Sequence, residues 1–397
     1  MSIDLSSGSA PARAAFYNDP RVRSIAYQFA LCAAVALLVY GAVTNAIDHL
    51  QRAHIASGFH FWDQTAGFDI SQTLIEYSAQ GSSYGRAFWV GLLNTLLVAS
   101  LGIVFATVLG FTVGIARLSK NWLLSKAATG YVETIRNIPL LLQLLFWYNA
   151  VLKALPEIRD SLKIDGAIYL NNRGLYLPKP IPEAGFGFVE IAFVAGAIAA
   201  IAFHWWARRR QERTGRQAPV FLVSLGLVIG LPCAVLVLSG MPIHFEVAQA
   251  GRFNISGGIE VLPEFAALLF GLSIYTAAFI AEVVRAGILA VSYGQVEAAY
   301  SLGLRPRPTL RLIVVPQAMR VIIPPLTSQY LNLTKNSSLA VAIGYPDLVQ
   351  IFTGTVLNQT GQAIETMAIT MSVYLAISIS ISMLMNWYNK RMALVER

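Results

Sequence analysis

Apolar residues fall in eight stretches long enough to cross a bilayer as helices: Ile25 to Val43, Val90 to Ala116, Tyr131 to Leu152, Phe188 to Trp206, Val220 to Ser239, Phe265 to Val284, Val321 to Ile343 and Met367 to Trp387. A hydrocarbon core takes about 20 apolar residues per helical span, and backbone in lipid must satisfy its own hydrogen bonds. The two-residue alternation of a membrane barrel does not recur, so the pattern predicts an all-α polytopic membrane protein of about eight spans. In the second span Gly102, Ala106, Gly110 and Gly114 recur every fourth residue, a groove along one helix face where another backbone can come close. Gly226, Gly230 and Ala234 repeat it more weakly, and both ladders are expected to serve ordinary bundle packing. Leu177 to Gly187, rich in proline and glycine, predicts an irregular outside connection.

Composition supports the membrane assignment. Of 397 residues 56% are hydrophobic and only 13% charged, with a mean hydropathy of +0.58, a balance that needs lipid over much of the surface. The formal charge of +8 reflects where Lys and Arg sit and calls for no nucleic-acid partner. With the N-terminus inside, nineteen of the 29 basic residues fall in cytoplasmic segments and eight outside, while Arg136 and Lys335 lie within spans. Arg208-Arg209-Arg210 and Lys390-Arg391, close to span ends, weigh most. Both termini are therefore expected in the cytoplasm, and the polar stretch through Asp19 reads as a cytosolic tail and not a cleavable signal. Cys32 and Cys233 sit in apolar runs and predict no disulfide. His49, His54 and His60, with Asp48, Asp63 and Asp69, share an outside loop, but their spacing does not stack on one helix face, and no metal is expected.

The most informative residues lie between the sixth and seventh spans. Val296 to Leu302 are good helix formers flanked by Gly294 and Gly303, which predicts about two turns of surface helix. Arg305-Pro306-Arg307-Pro308 forbids its continuation, because proline lacks an N–H and biases its predecessor away from the α region. Glu297 near the start complements the helix dipole, and Ala298 and Ala299 leave room for a partner surface. No Gx4GK[ST] phosphate loop and no HExxH occur, and His204 beside Trp205-Trp206 reads as an interfacial residue, which sets aside a membrane-embedded enzyme.

Glu297-Ala298-Ala299, Gly303 and Ile313-Val314-Val315-Pro316 resemble the signature of the integral membrane subunits of ATP-binding-cassette importers: Glu-Ala-Ala, three residues, Gly, nine residues, Ile-x-Leu-Pro. Val315 stands where the pattern prefers Leu. The runs Glu133 to Leu144, Leu262 to Leu268 and Thr276 to Arg285 are similar to the polar amino-acid branch of that family. The resemblance covers Gly85 to Tyr148 and Gly258 to the C-terminus. It implies a type I importer fold with a five-helix core, to which this chain adds an N-terminal helix and a two-helix insertion, as in general L-amino-acid permeases. The implied division is 1–84 (tail, first span and periplasmic loop), 85–152 (first part of the core), 153–257 (insertion) and 258–397 (second part of the core with the coupling loop). By the same resemblance Glu297, Ala298, Ala299, Gly303, Arg305, Ile313 and Pro316 form a coupling helix and loop against an ATPase. The partners implied are two ATPase subunits, a second related permease and a periplasmic amino-acid-binding protein in a bacterial inner membrane. ATP and magnesium would belong to the ATPases, with no cofactor on this chain.

Ionisable residues inside spans point to a polar path. Lys335 with Asn336 and Ser338, and Arg136 with Asn137 ahead of the helix-breaking Pro139, are the candidates for substrate contact. The structural alternative pairs Lys335 with Glu133 or Glu365 and has Arg136 reach the membrane interface. The functional alternative is an ion-coupled secondary transporter, which would often carry two inverted repeats; no mirrored halves are visible.

Overall fold

The computed structural model describes residues 20–52, 58–251 and 255–392. The expected cytosolic tail through Asp19, as well as His54, Arg252 and the side chain of His49, lies outside the described residues. The helices are α1 (Pro20–Arg52), α2 (Tyr84–Ala116), α3 (Trp122–Asn137), α4 (Leu140–Leu152), α5 (Phe186–Thr214), α6 (Val220–Leu238), α7 (Pro263–Leu289), α8 (Tyr293–Ser301), α9 (Pro306–Ile343), α10 (349–360) and α11 (Ala363–Met392). Among the described residues seven are long and apolar enough to span a membrane, and the α3–α4 pair, bent by 105°, makes an eighth if taken as one broken span.

The bundle is built on α2 and α7, with α9 against α7, α11 against α9, and α3 and α4 along α7. The four-residue ladder of α2 is the reason. A Cβ at Gly110 would stand 2.6 Å from Ile280, and one at Gly114 would stand 2.8 Å from the Ala281 carbonyl, so only glycine lets the two backbones meet. Successive rungs advance together on both helices, hence α2 and α7 run parallel. Ala106 is fully buried, and Gly102 faces Leu333 of α9. The second ladder does not repeat this: nothing stands near a Cβ at Gly226 or Gly230. The α5–α6 hairpin instead closes on α5, where Gly196 lies against the Leu227 carbonyl, with Ala192 and Ala200 buried one turn to either side. Helix α1 exposes nearly every described side chain, as a helix surrounded by lipid does.

The insertion departs from the sequence expectation. Between α4 and α7 the chain makes eight short strands besides the two helices: β1 (Leu162–Ile164), β2 (Ile168–Asn171), β3 (Gly174–Leu177), β4 (Lys179–Pro182), β5 (Ile243–Glu246), β6 (Gln249–Ala250), β7 (Ile255–Ser256) and β8 (Ile259–Val261). They pair antiparallel in the orders β1-β2-β3-β8, β4-β5 and β6-β7. Leu177 to Gly187 is thus not irregular throughout, because Lys179 to Pro182 pair with Glu246 to Ile243. Asp165 and Gly166, both at positive φ, turn the chain from β1 to β2, the hairpin chemistry of an Asp-Gly pair. The small core is Tyr169, Tyr176, Ala248 and Ile255. Tyr176 donates to Glu260 (2.8 Å), and burial together with that carboxylate pushes its phenol well above the usual range.

Strand β8 leads straight into α7, whose 27 residues span about 40 Å at the helical rise, so the sheet and α8 sit at opposite poles of the bundle. At the sheet pole, residues 58–83 fold over the start of α2, where Phe61, Trp62, Phe88 and Phe352 cluster with adjacent ring centroids 5.2–6.5 Å apart.

Replacing Gly110 by Leu should overpack the α2–α7 seam and destabilise the protein by about 1–3 kcal/mol. Gly226→Leu should change little. Thermal unfolding in detergent checks the pair, with a lowered midpoint expected for the first variant alone.

Candidate functional site

Helix α8 follows the end of α7, at the pole opposite the sheet. Its nine residues begin after Ser292, so Gly294 lies inside the first turn and is not the breaker the sequence suggested. The end is sharper. Gly303 at φ +76° lets its N–H reach the Tyr300 carbonyl (2.9 Å) while the Leu304 N–H reaches that of Ala299 (3.0 Å), the paired closure of a Schellman stop. Ala299 is buried, whereas Glu297 and Ala298 face outward with Tyr293 and Leu302, which are 72% and 81% exposed. A helix beyond the spans that shows two large apolar side chains offers an adhesive surface.

The prolines act as starters as well as stoppers. Arg305, exposed, caps the next helix in extended conformation, and Pro306 and Pro308 occupy its first turn, where no N–H is needed. Helix α9 therefore begins at Pro306, well before the expected Val321. Pro316 cannot donate to Leu312, and just before it the helix widens into a π-turn over Leu310–Val314, with the Val315 N–H bonded to Leu310. Ile313 and Pro316, both half-buried, lie at this turn. Gly287 of α7 touches Ile322 of α9 where no Cβ could fit, so the two helices flanking α8 are clamped together.

Above α8 five charged side chains converge. Glu282 of α7 accepts from Arg285 (2.7 Å) and from Arg117 at the end of α2, and Arg136 of α3 stands 3.7 Å away. Glu133 lies 3.8 Å from Arg117, whose side chain is only 7% exposed. Arg136 also lies over the Phe279 ring, 5.1 Å from its centroid. Arg117 was not singled out in the sequence, although Glu282 and Arg285, one turn apart in an apolar helix, carry the signal of a costly charge that needs a partner.

The break at Pro139 frees the Ile135 carbonyl, which would have bonded the missing proline N–H. The buried Gln143 side chain supplies the donor, its Nε2 bonding the Ile135 and Ile138 carbonyls at 2.9 Å each. Both carbonyls at the break are thus already taken. Asn137 turns back to the Glu133 carbonyl (2.7 Å).

Lys335 and its neighbours sit where α9 tightens into a 3₁₀ turn over Ser337–Ile343, which packs against α4 and α7. The Lys335 side chain is exposed and is absent from the ion pairs among the described residues, while Asn336 and Ser338 are half-buried. Glu133 and Glu365, its suggested partners, are otherwise engaged, the first near Arg117 and the second accepting the Gly58 N–H. Ser338 donates to the Lys335 carbonyl (2.7 Å). Arg136 meets Glu282 and Phe279, so the structure assigns the two halves of the predicted path different surroundings.

Residues 102–394, which hold the core helices, α8 and the ion cluster, match the family described as binding-protein-dependent transport system inner membrane component. The chain belongs to this family. It is 53% identical to the general L-amino acid transport system permease protein AapQ of Rhizobium johnstonii, over 97% of this chain and 96% of that one. It is likewise 53% identical to the putative amino-acid ABC transporter permease protein YhdX of Escherichia coli K12, over 96% and 97%. The glutamate/glutamine/aspartate/asparagine transport system permease protein BztB of Rhodobacter capsulatus is 41% identical, over 96% of each chain. Like other members of the family, the chain is a multi-pass inner-membrane transport component.

Gln143→Leu would leave the Ile135 and Ile138 carbonyls unpaired in an apolar surround, at a cost of about 1–3 kcal/mol. The expected outcome is a lowered unfolding midpoint in detergent, with Gln143→Glu no substitute because it brings no N–H donor.

Proposed function

We propose that the chain is a membrane-spanning subunit of an ATP-driven importer that moves L-amino acids from periplasm to cytoplasm by alternating access. The observation that carries this is α8: a short helix closed by Gly303, joining the clamped pair α7 and α9, and presenting Glu297, Ala298, Tyr293 and Leu302 outward. A partner ATPase docks there, with Arg305, Ile313 and Pro316 shaping the return of the chain into α9. Nucleotide binding draws two such ATPases together, and α8 carries the motion into the spans. The effect requires that nucleotide favour one conformation over the other, because equal affinity shifts nothing. ATP and magnesium reside on the ATPases.

The amino-acid substrate class follows from the near full-length likeness to permeases named for amino acids. A second permease alongside is supported by α9, where Pro324, Ser328, Asn332 and Lys335 form an exposed line at helical spacing. Polar groups on a span need water or another protein. Two permeases facing each other across this line enclose a wet path in which Lys335, Asn336 and Ser338 meet the substrate carboxylate. A periplasmic binding protein delivers the substrate at the sheet pole, both termini lie in the cytoplasm, and we read the four-part division of the chain as a functional one.

Gly303 supplies the test. A Cβ there meets nothing, so the penalty of substitution is the left-handed backbone, about 1–2 kcal/mol for an ordinary residue and less for Asn. In proteoliposomes holding the whole complex, Gly303→Val should lower uptake driven by ATP and loaded binding protein, while Gly303→Asn should stay near the parent. Equal uptake by both variants counts against the lever, and uptake that an ionophore abolishes with ATP present returns the protein to the ion-coupled class.

A further inference from the structure

Three guanidiniums share two carboxylates where α2, α3 and α7 meet, so one arginine is always underpaired. The three bonds to Glu282 are mechanically unlike. Arg285 is on the same helix as Glu282 and transmits nothing between elements. Arg117 comes from the end of α2, which the Gly110 and Gly114 rungs already lock to α7, so those helices move as one body. Arg136 belongs to neither. It sits in the last turn of α3, just ahead of the Pro139 break, and its guanidinium is held at longer range, 3.7 Å from Glu282 and 5.1 Å from the Phe279 ring centroid.

Beyond the break, Gln143 ties α4 rigidly to the end of α3, and α4 packs on the Ser337–Ile343 turn beside Lys335. One route therefore runs from α8 through α7 to Glu282, across to Arg136, and through the bent α3–α4 arm to the segment that carries Lys335, beside the direct packing of α4 on α7, where Leu144 meets Gly271 and the Tyr148 hydroxyl donates to Glu264 (2.7 Å). A second tie, from the Tyr131 hydroxyl to the Ile274 carbonyl (2.6 Å), holds α3 to α7 at an earlier turn of both helices. A salt bridge with an excess cation suits a moving joint: when α7 shifts, Arg136 can close on Glu282 as another arginine loosens, and the carboxylate keeps a partner throughout.

We propose that Arg136 is a positioning residue for transport, the joint through which Glu282 of α7 hands the displacement of α8 to α4. It acts through the α3–α4 arm. The proposal rests on the lever reading above.

The test uses the complete transporter in nanodiscs, with Cys32 and Cys233 replaced by Ser. One spin label at Gln295→Cys is read against a label on the partner ATPase and reports docking of α8. A second pair at Asn149→Cys and Gln80→Cys reports the far end of α4. Arg136→Gln is the variant of choice, because Glu282→Gln would leave the buried Arg117 with only the more distant Glu133 and threaten folding. With ATP and loaded binding protein, Arg136→Gln should still show α8 docking while the α4 distance no longer changes. Substrate imported per ATP hydrolysed should fall by about 5-fold or more, the scale of coupling between distant sites. Arg136→Lys, which keeps the charge but not the planar fork, should recover part of the loss. An unchanged α4 response and import ratio in Arg136→Gln, with α8 docked, overturns the joint and leaves the lever standing. Failure of α8 to dock in the parent protein overturns the lever itself.

Discussion

Everything in this bundle depends on how closely α2 and α7 can approach. In lipid, burying an apolar side chain between helices gains little over leaving it in acyl chains, so association comes from van der Waals contact and polar ties. Gly110 and Gly114 remove the side chains that would keep the backbones apart, and Ile280 and Val284 fill the space. The paired helix is the axis of the molecule. Its first end continues from the sheet of the insertion, its last third bears Glu282, and its other end leads to α8. A looser seam would let all three drift.

The remaining geometry comes from places where the helical hydrogen-bond ladder is broken and repaired. At Pro139 the lost donor is replaced by the amide of Gln143, so the 105° bend is a fixed elbow and not a flexible one. At Pro316 a π-turn takes up the mismatch, and at Gly303 two bonds close the helix end. Each repair spares a buried or shielded carbonyl the penalty of having no partner. The result is a stub helix packed on the start of α9, and an arm whose two halves are tied together across the break.

The stub was legible in the sequence because its information is local. Helix formers before a closing glycine and prolines after the stop act within a dozen residues, although Glu297, expected near the start, is the fifth of nine residues and lies outside the first turn. Its limits were less legible: Gly294 fits inside the first turn, and Pro306 starts α9 because proline is as well suited to a first helical turn as to ending the one before. The strands of the insertion were missed although Asp165-Gly166 between apolar runs carries a hairpin signal. At three or four residues each, they are too short to show alternation beside spans of twenty.

By itself, the order of residues determined that the chain crosses a membrane many times, that α2 has a face for close packing, and that a capped helix projects between two spans. These follow from hydropathy and from single-residue backbone preferences, which do not depend on distant neighbours. Only the tertiary structure decided which helix fills the groove of α2, that Gly196 and not Gly226 closes the second hairpin, and that Arg117, Glu133, Arg136, Glu282 and Arg285 share one cluster. A charge inside a span announces that it needs a partner, but the partner is chosen by how helices far apart in the chain are packed, and no local pattern encodes that.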